Sequence, residues 1–192
     1  MTDARLNAFM TYLNVLQEWN SRFNLTGIKK AEEIISKHFL DSLLYLRFLP
    51  GGKIHIADIG TGAGFPGIPL AVIRPEMTLY LIESSIKKSL FLSQVSKLLH
   101  IQNIIVLEKR VEEIVVGREM LPVDVAVTRA VFSLKEFVQH ASGLVKEGGM
   151  LIHSKGPKVY EEVKEIPALR HEITPCRLPL TEIKRNIVVI HV

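Results

Sequence analysis

Asp58-Ile59-Gly60-Thr61-Gly62-Ala63-Gly64-Phe65-Pro66-Gly67 is the stretch on which the reading of this chain turns. It follows the apolar run I-H-I-A-D-I at 54–59 and leads into a second apolar run that begins at Ile68. Glycines here let the chain turn sharply after a strand and let a ligand approach the backbone without Cβ obstruction. Pro66 and Pro69 lack amide hydrogens, which suits the first turn of a following helix. The stretch therefore reads as a strand, a ligand-hugging turn and a helix start.

Outward from the loop, short apolar strands alternate with helices. T-L-Y-L-I-E at 78–83 is a second strand, followed by a helix from about Ser85 to His100. N-I-I-V-L, V-D-V-A-V-T and G-G-M-L-I-H-S are three more strands, with helices predicted at Leu134 to Val145 and Val159 to Ile166. Two late runs, E-I-T-P-C-R-L and N-I-V-V-I-H-V, have no long helix between them and are expected to pair antiparallel at one sheet edge. This is an α/β, Rossmann-like pattern: a seven-stranded, mostly parallel sheet with an antiparallel edge strand. Upstream, Leu6, Phe9, Met10, Leu13, Leu16 and Trp19 recur at helical spacing, and a second helix continues from Ile34 to Phe48 before Pro50-Gly51-Gly52 breaks it. Residues 1–50 thus form an N-terminal helical extension and 51–192 the core, packed as one unit.

Three nucleotide-binding patterns compete for the loop. A phosphate-binding P-loop needs a Gly-Lys-Ser/Thr ending, which is absent. The dinucleotide pattern G-x-G-x-x-G is formally matched by Gly62, Gly64 and Gly67, but counting from the strand end makes Gly60 the first glycine and puts Phe65 in the third place. D-x-G-x-G-x-G directly after a strand fits Asp58 to Gly64 without shifting, and it resembles class I S-adenosylmethionine (SAM) methyltransferases. Glu83 ends the second strand, where an acidic residue commonly accepts hydrogen bonds from ribose hydroxyls. The plainer alternative is that Glu83 only opens the next helix.

Bulk properties bound the function. The chain has 192 residues, 47% of them apolar, enough to fill a core. The longest apolar stretches, Ile101 to Leu107 and Ile187 to Ile190, are too short to span a membrane, and the charged start M-T-D-A-R-L-N lacks the apolar run of a secretory signal. One cysteine, Cys176, excludes an internal disulfide framework and fits a reducing, cytoplasmic setting. The net charge of +4 leans towards an anionic partner, yet acidic and basic residues are interspersed, so composition alone does not establish RNA binding. The histidines show no metal-ligand spacing.

Negative evidence narrows the methyl acceptor. Methylation of exocyclic base amines usually shows an Asn/Asp-Pro-Pro-aromatic loop after the fourth strand; here the place reads Thr128-Arg129-Ala130-Val131-Phe132. Pyrimidine carbon-5 chemistry needs a cysteine nucleophile. Cys176 follows Pro175, but it lies in a late strand-like run, where a lone cysteine is more often a small buried apolar residue. A ring nitrogen such as guanine N7 has a free lone pair and no proton to remove. In-line placement of the reactants can then supply about 7–11 kcal/mol of barrier reduction, and no catalytic base is expected.

Further segments point to one family. W-N-S-R-F-N-L-T at Trp19 to Thr26, K-H-F-L-D-S at Lys37 to Ser42 and D-I-G-T-G-A-G-F-P-G-I-P-L-A at Asp58 to Ala71 resemble the bacterial small-subunit rRNA guanine-N7 methyltransferases. R-P-E at Arg74, R-V-E-E at Arg110, T-R-A at Thr128, K-G at Lys155 and the terminal R-N-I-V-V-I match in the same order. The resemblance implies SAM as cofactor and a target in a conserved loop of 16S rRNA near the decoding site (the 530-loop region), on naked rRNA or the small ribosomal subunit. It implies SAM contacts at Gly60 and Phe65, Val111 and Glu112, and Arg129, to which the loop and spacing add Gly62 and Glu83. RNA contacts are expected at Arg22, Lys37, His38, Arg129, Lys155 and Arg185, through phosphates or stacking on a splayed base. His38 and Asp41, three apart, form at least as readily a plain intrahelical pair. The amino-terminal region is short for the family, which bears on RNA docking more than on SAM binding. A monomer is expected. Three alternatives remain open: a methyltransferase for a non-RNA acceptor, a non-catalytic nucleotide- or RNA-binding protein, and an NAD-dependent oxidoreductase.

Overall fold

The computed structural model describes residues 2–192. Seven strands, β1 (His55–Ile59), β2 (Thr78–Ile82), β3 (Ile104–Leu107), β4 (Val123–Arg129), β5 (Val145–Lys155), β6 (His171–Arg177) and β7 (Lys184–His191), form one sheet in the order β3-β2-β1-β4-β5-β7-β6. β3 through β5 run parallel, and β7 runs antiparallel to both β5 and β6. The late hairpin sits at one edge as its missing crossover helix requires. The chain folds back so that β7 lies inside and β6 takes the rim.

Alternation along the strands builds two cores. Ile56, Leu79, Leu81, Val125, Val127 and Ile152 face one side, whereas Ala57, Ile59, Tyr80, Ile82, Ala126 and Leu151 face the other. The first side is covered by α1 (Asp3–Phe23), α4 (Gly67–Ile73) and α5 (Ile86–Leu98), and the second by α6 (Leu134–Ala141). Ser133 opens α6 with a reciprocal cap: its hydroxyl accepts from the Glu136 amide, and the Glu136 carboxylate accepts from the Ser133 amide. A short α7 (Val159–Glu162) follows β5.

The N-terminal stripe is rotated from its expected face. Phe9, Tyr12, Leu13 and Leu16 are buried, while Leu6 and Met10 are 47% and 46% exposed. Tyr12 takes the place next to Phe9 because its ring stacks near Phe39 and Phe65. The second helical region is broken into α2 (Ala31–Ile34), a π-helical segment Ile35–Leu40, α3 (Asp41–Leu43) and a 3-10 turn Leu44–Arg47. Such π-helical insertions shift the side chains that follow and are frequent at functional sites. Here the shifted residues include His38 and Asp41.

Candidate functional site

The sheet order reverses direction between β1 and β4, and ligands in open α/β sheets gather where strands end at such a point. Two adjoining clefts open there, of about 290 and 740 Å³, sharing Gly60, Lys88 and Val131.

The glycine loop, which reaches the smaller cleft through Gly60 and lines the larger from Gly60 to Ala63 and at Phe65, is held largely through backbone. Asp58 is fully buried, and its Oδ2 accepts from Thr61 Oγ1 at 2.6 Å and from the Gly67 amide at 2.7 Å. The carboxylate that ends β1 therefore braces the loop that follows it. Burial pushes the Asp58 carboxyl up to about 7, against the lowering effect of those two donors. The Gly60 and Thr61 amides donate to Ile82 O, tying the loop to β2. Gly64 sits at φ +96°, and a Cβ there would press on Ile68 and on the Tyr12 hydroxyl. That hydroxyl donates to Ala63 O. Glu83 accepts from the Gly62 and Ser85 amides, both at 2.9 Å, so it positions the glycine loop as well as lining the cleft. Val111 is buried beside it. Glu112 is half-exposed, with Oε1 3.4 Å from His140 Nδ1. An acidic group set among Ile82, Val111 and Phe132 matches a nucleoside, which offers hydroxyls and a flat apolar base.

The larger cleft is built from side chains. Arg129, at the end of β4, donates through Nη1 to Lys37 O at 2.8 Å and to Asp41 Oδ2 at 3.1 Å. Its Nη2 meets His38 Nδ1 at 2.7 Å, and its guanidinium lies 5.3 Å from the Phe65 ring centroid. Arginine can only donate, so His38 Nδ1 is the acceptor and Nε2 carries the hydrogen, which it gives to Thr26 Oγ1 at 2.9 Å. Burial, and then the Arg129 charge, lower the His38 pKa to about 3, keeping the ring neutral while it stacks on Phe65 with centroids 4.4 Å apart. Tyr45 locks the floor: its hydroxyl donates to Thr128 O at 2.6 Å and accepts from the Ser154 amide at 3.0 Å. Lys155 donates to Phe132 O at 2.9 Å and pairs with Glu162 at 2.7 Å. Six cationic side chains (Lys37, Lys88, Arg129, Lys155, Lys158, Arg185) line this cleft against two carboxylates, Asp41 and Glu162. The surplus equals the formal charge of the entire chain, +4.

The structure brings most of the expected residues together. Gly60, Gly62, Phe65, Lys37, His38, Arg129, Lys155 and Arg185 line the larger cleft, and Glu83, Val111 and Glu112 the smaller. Arg22 is not among them: it is exposed near the end of α1, 3.5 Å from Glu18. His38 and Asp41 do not pair with each other, because the π-helical segment turns both towards Arg129. Cys176 is buried and lines neither cleft. Sequence reasoning missed the roles of Thr26, Tyr45 and Asp41, whose partners lie on distant segments, and passed over Lys88 and Lys158. Among the described residues no cluster of His, Cys, Asp and Glu is arranged to hold a metal, and no helix is long and apolar enough to cross a membrane.

Comparison with known proteins agrees with this geometry. The family model described as rRNA small subunit methyltransferase G matches residues 5–185. Similar curated proteins include the ribosomal RNA small subunit methyltransferase G of Acetivibrio thermocellus, 36% identical over 99% of this chain and 81% of that protein. The protein of the same name from Nitrosococcus oceani is 39% identical over 95% and 83%. Among solved structures, a SAM-dependent methyltransferase from Aquifex aeolicus superposes with a TM-score of 0.62 at 16% identity, covering 83% of this chain and 93% of that one. A precorrin-6y C5,15-methyltransferase from Geobacter metallireducens does so with 0.61 at 15% identity, covering 86% and 90%. At that identity the solved structures speak for the fold alone.

Proposed function

The chain belongs to the rRNA small subunit methyltransferase G family, and from that premise we propose that it methylates N7 of a guanine in the 530-loop region of 16S rRNA, using SAM. The observation that carries the acceptor class is the larger cleft, where six cationic side chains stand against two carboxylates beside the smaller cleft that suits a nucleoside. Phosphate contacts from such side chains fix register on a nucleic acid.

SAM supplies a methyl group already activated on a sulfonium. In this reading Gly60, Gly62, Phe65, Glu83, Val111 and Glu112 hold it, and Arg129 fixes the face of Phe65 by lying over its ring. The chemistry of the acceptor is read from what the larger cleft withholds. Both ring nitrogens of His38 are engaged, and burial keeps the ring neutral. The two carboxylates that line it are committed as well, Asp41 to Arg129 and Arg185 and Glu162 to Lys155 and the Leu134 amide, while Asp58 is buried and lines neither cleft. None of the lining groups is free to take a proton from a substrate. Guanine N7 has none to give, so placement of its lone pair suffices, consistent with a barrier lowered about 7–11 kcal/mol by orientation. We further propose that the protein acts as a monomer in the cytoplasm, where its one buried cysteine needs no oxidising partner.

The test is transfer of labelled methyl from SAM to small-subunit rRNA and to small-subunit particles from a strain lacking the activity, with the product identified by mass. The expected product is 7-methylguanosine at one site. Methylation of another base atom, or SAM binding without transfer to either substrate, overturns the reading.

A further inference from the structure

Asp41 is 1% exposed, yet it meets two arginines from strands that are not neighbours. Arg129 comes from β4 and Arg185 from β7, with β5 between them. Because β7 runs antiparallel, Arg185 near its beginning lies at the edge where β4 and β5 end. The two arginines are held differently. Arg129 spends its terminal nitrogens on Lys37, His38 and Asp41. Among the described residues, the side-chain hydrogen bonds of Arg185 run only through Nε, which donates to Asp41 Oδ1 at 3.2 Å and Oδ2 at 3.3 Å. Held at that point, the guanidinium keeps both Nη groups uncommitted while it lines the larger cleft. Two parallel N–H donors of this kind match two oxygens of a phosphate. The same fork placed on a guanine would cover N7, the atom to be methylated, so the fitting ligand is the backbone of the acceptor and not its base.

We propose that Asp41 is a positioning residue that aims the Arg185 fork at a phosphodiester of the RNA acceptor. The inference rests on the rRNA reading above. Lysine cannot replace Arg185 here, having neither the Nε donor nor the fork.

The experiment is steady-state methyl transfer to small-subunit rRNA, with SAM affinity measured separately by calorimetry. Asp41→Asn should raise the KM for rRNA about tenfold, with kcat and the SAM Kd moving less than about threefold because Arg129 keeps Lys37 O and His38 Nδ1. Arg185→Lys should reproduce that pattern. In the Arg185→Lys background, Asp41→Asn should add less than about threefold, because the group it aims is already gone. Independent, multiplying losses overturn the proposal, as does equal loss of SAM and rRNA affinity. Should Asp41→Asn fail to fold, Arg185→Lys decides alone: an unchanged KM for rRNA overturns the aiming role. A wild-type chain that transfers no methyl to rRNA overturns the functional reading itself, whereas wild-type transfer with independent losses overturns only the role of Asp41.

Discussion

The two clefts share a wall but are assembled in opposite ways. The smaller draws on short segments, 59–60, 82–84, 109–112 and 131–132 with Lys88, and the glycine loop at its wall is held largely through backbone: amides of Gly60, Thr61, Gly62 and Gly67 are tied to Ile82, Glu83 and Asp58. The larger draws on side chains that meet across 88 to 144 residues of sequence, as in the Asp41 pairs with Arg129 and Arg185. A backbone site is specified by where a side chain is missing, and a side-chain site by which partners arrive. The first tolerates substitutions around it and almost none within it; the second is tuned one charge at a time.

The sharpest way to break this contrast is at Gly64. Gly64→Val forces a side chain into a φ of +96° against Ile68 and Tyr12, and should cost about 3 kcal/mol or more of stability together with SAM binding. Thermal melts and calorimetry check it; a variant that melts like wild type and binds SAM would mean the loop is not rigid in solution.

pH separates the buried groups by sign. His38, and His153 buried on β5 with Nε2 3.0 Å from Phe132 O, have pKa values lowered by burial to about 3 and about 4, so unfolding takes up protons as pH drops below about 6.5 and stability falls. Asp58, raised to about 7, holds a proton that the unfolded chain releases above about 4, so its contribution runs the other way. Two groups against one leave a net loss of about 1.4 kcal/mol for each unit from pH 6.5 down to 4. His38→Gln should bring that slope near zero in denaturant titrations; an unaltered slope would show that His38 is not the buried neutral group.

Tyr45→Phe strips partners from buried Thr128 O and the Ser154 amide, and should cost about 2 kcal/mol by denaturant midpoint. Unchanged stability would mean that water replaces the hydroxyl. The smallest effect is in the smaller cleft: Glu83→Gln should raise the SAM Kd about tenfold while the KM for rRNA moves less than about threefold. Equal changes in both would show that the clefts are energetically one.

The same contrast explains what could be read from the sequence. The strands, the glycine turn and the acid at the end of β2 were legible because each is a contiguous pattern with its own local physics. The terminal hairpin was legible from the missing helix, but its direction of folding, which put β7 inside and β6 at the rim, depended on pairing that no local run encodes. Leu6 and Met10 fit the α1 stripe by spacing and still face outward, because Tyr12 takes the buried face beside Phe39 and Phe65. The π-helical segment rotated His38 and Asp41 out of a simple i, i+3 relation, so a local rule gave the wrong partner. Arg22 matched its motif, and folding leaves it exposed beside Glu18, outside the lining of both clefts. The interspersed charges that looked featureless along the chain are sorted only by folding.

The inward position of β7 also sets an order of events during synthesis. Chains are synthesised from the amino end, at about 5–20 residues per second. The elements bounding the smaller cleft, through Phe132, leave the ribosome while β7 is still inside it. Arg185 and the seam between β5 and β6 come afterwards, when the Lys184–His191 segment inserts between strands already made. A nascent chain therefore holds every element of its smaller cleft while the Arg185 side of the larger still waits for the closing strand.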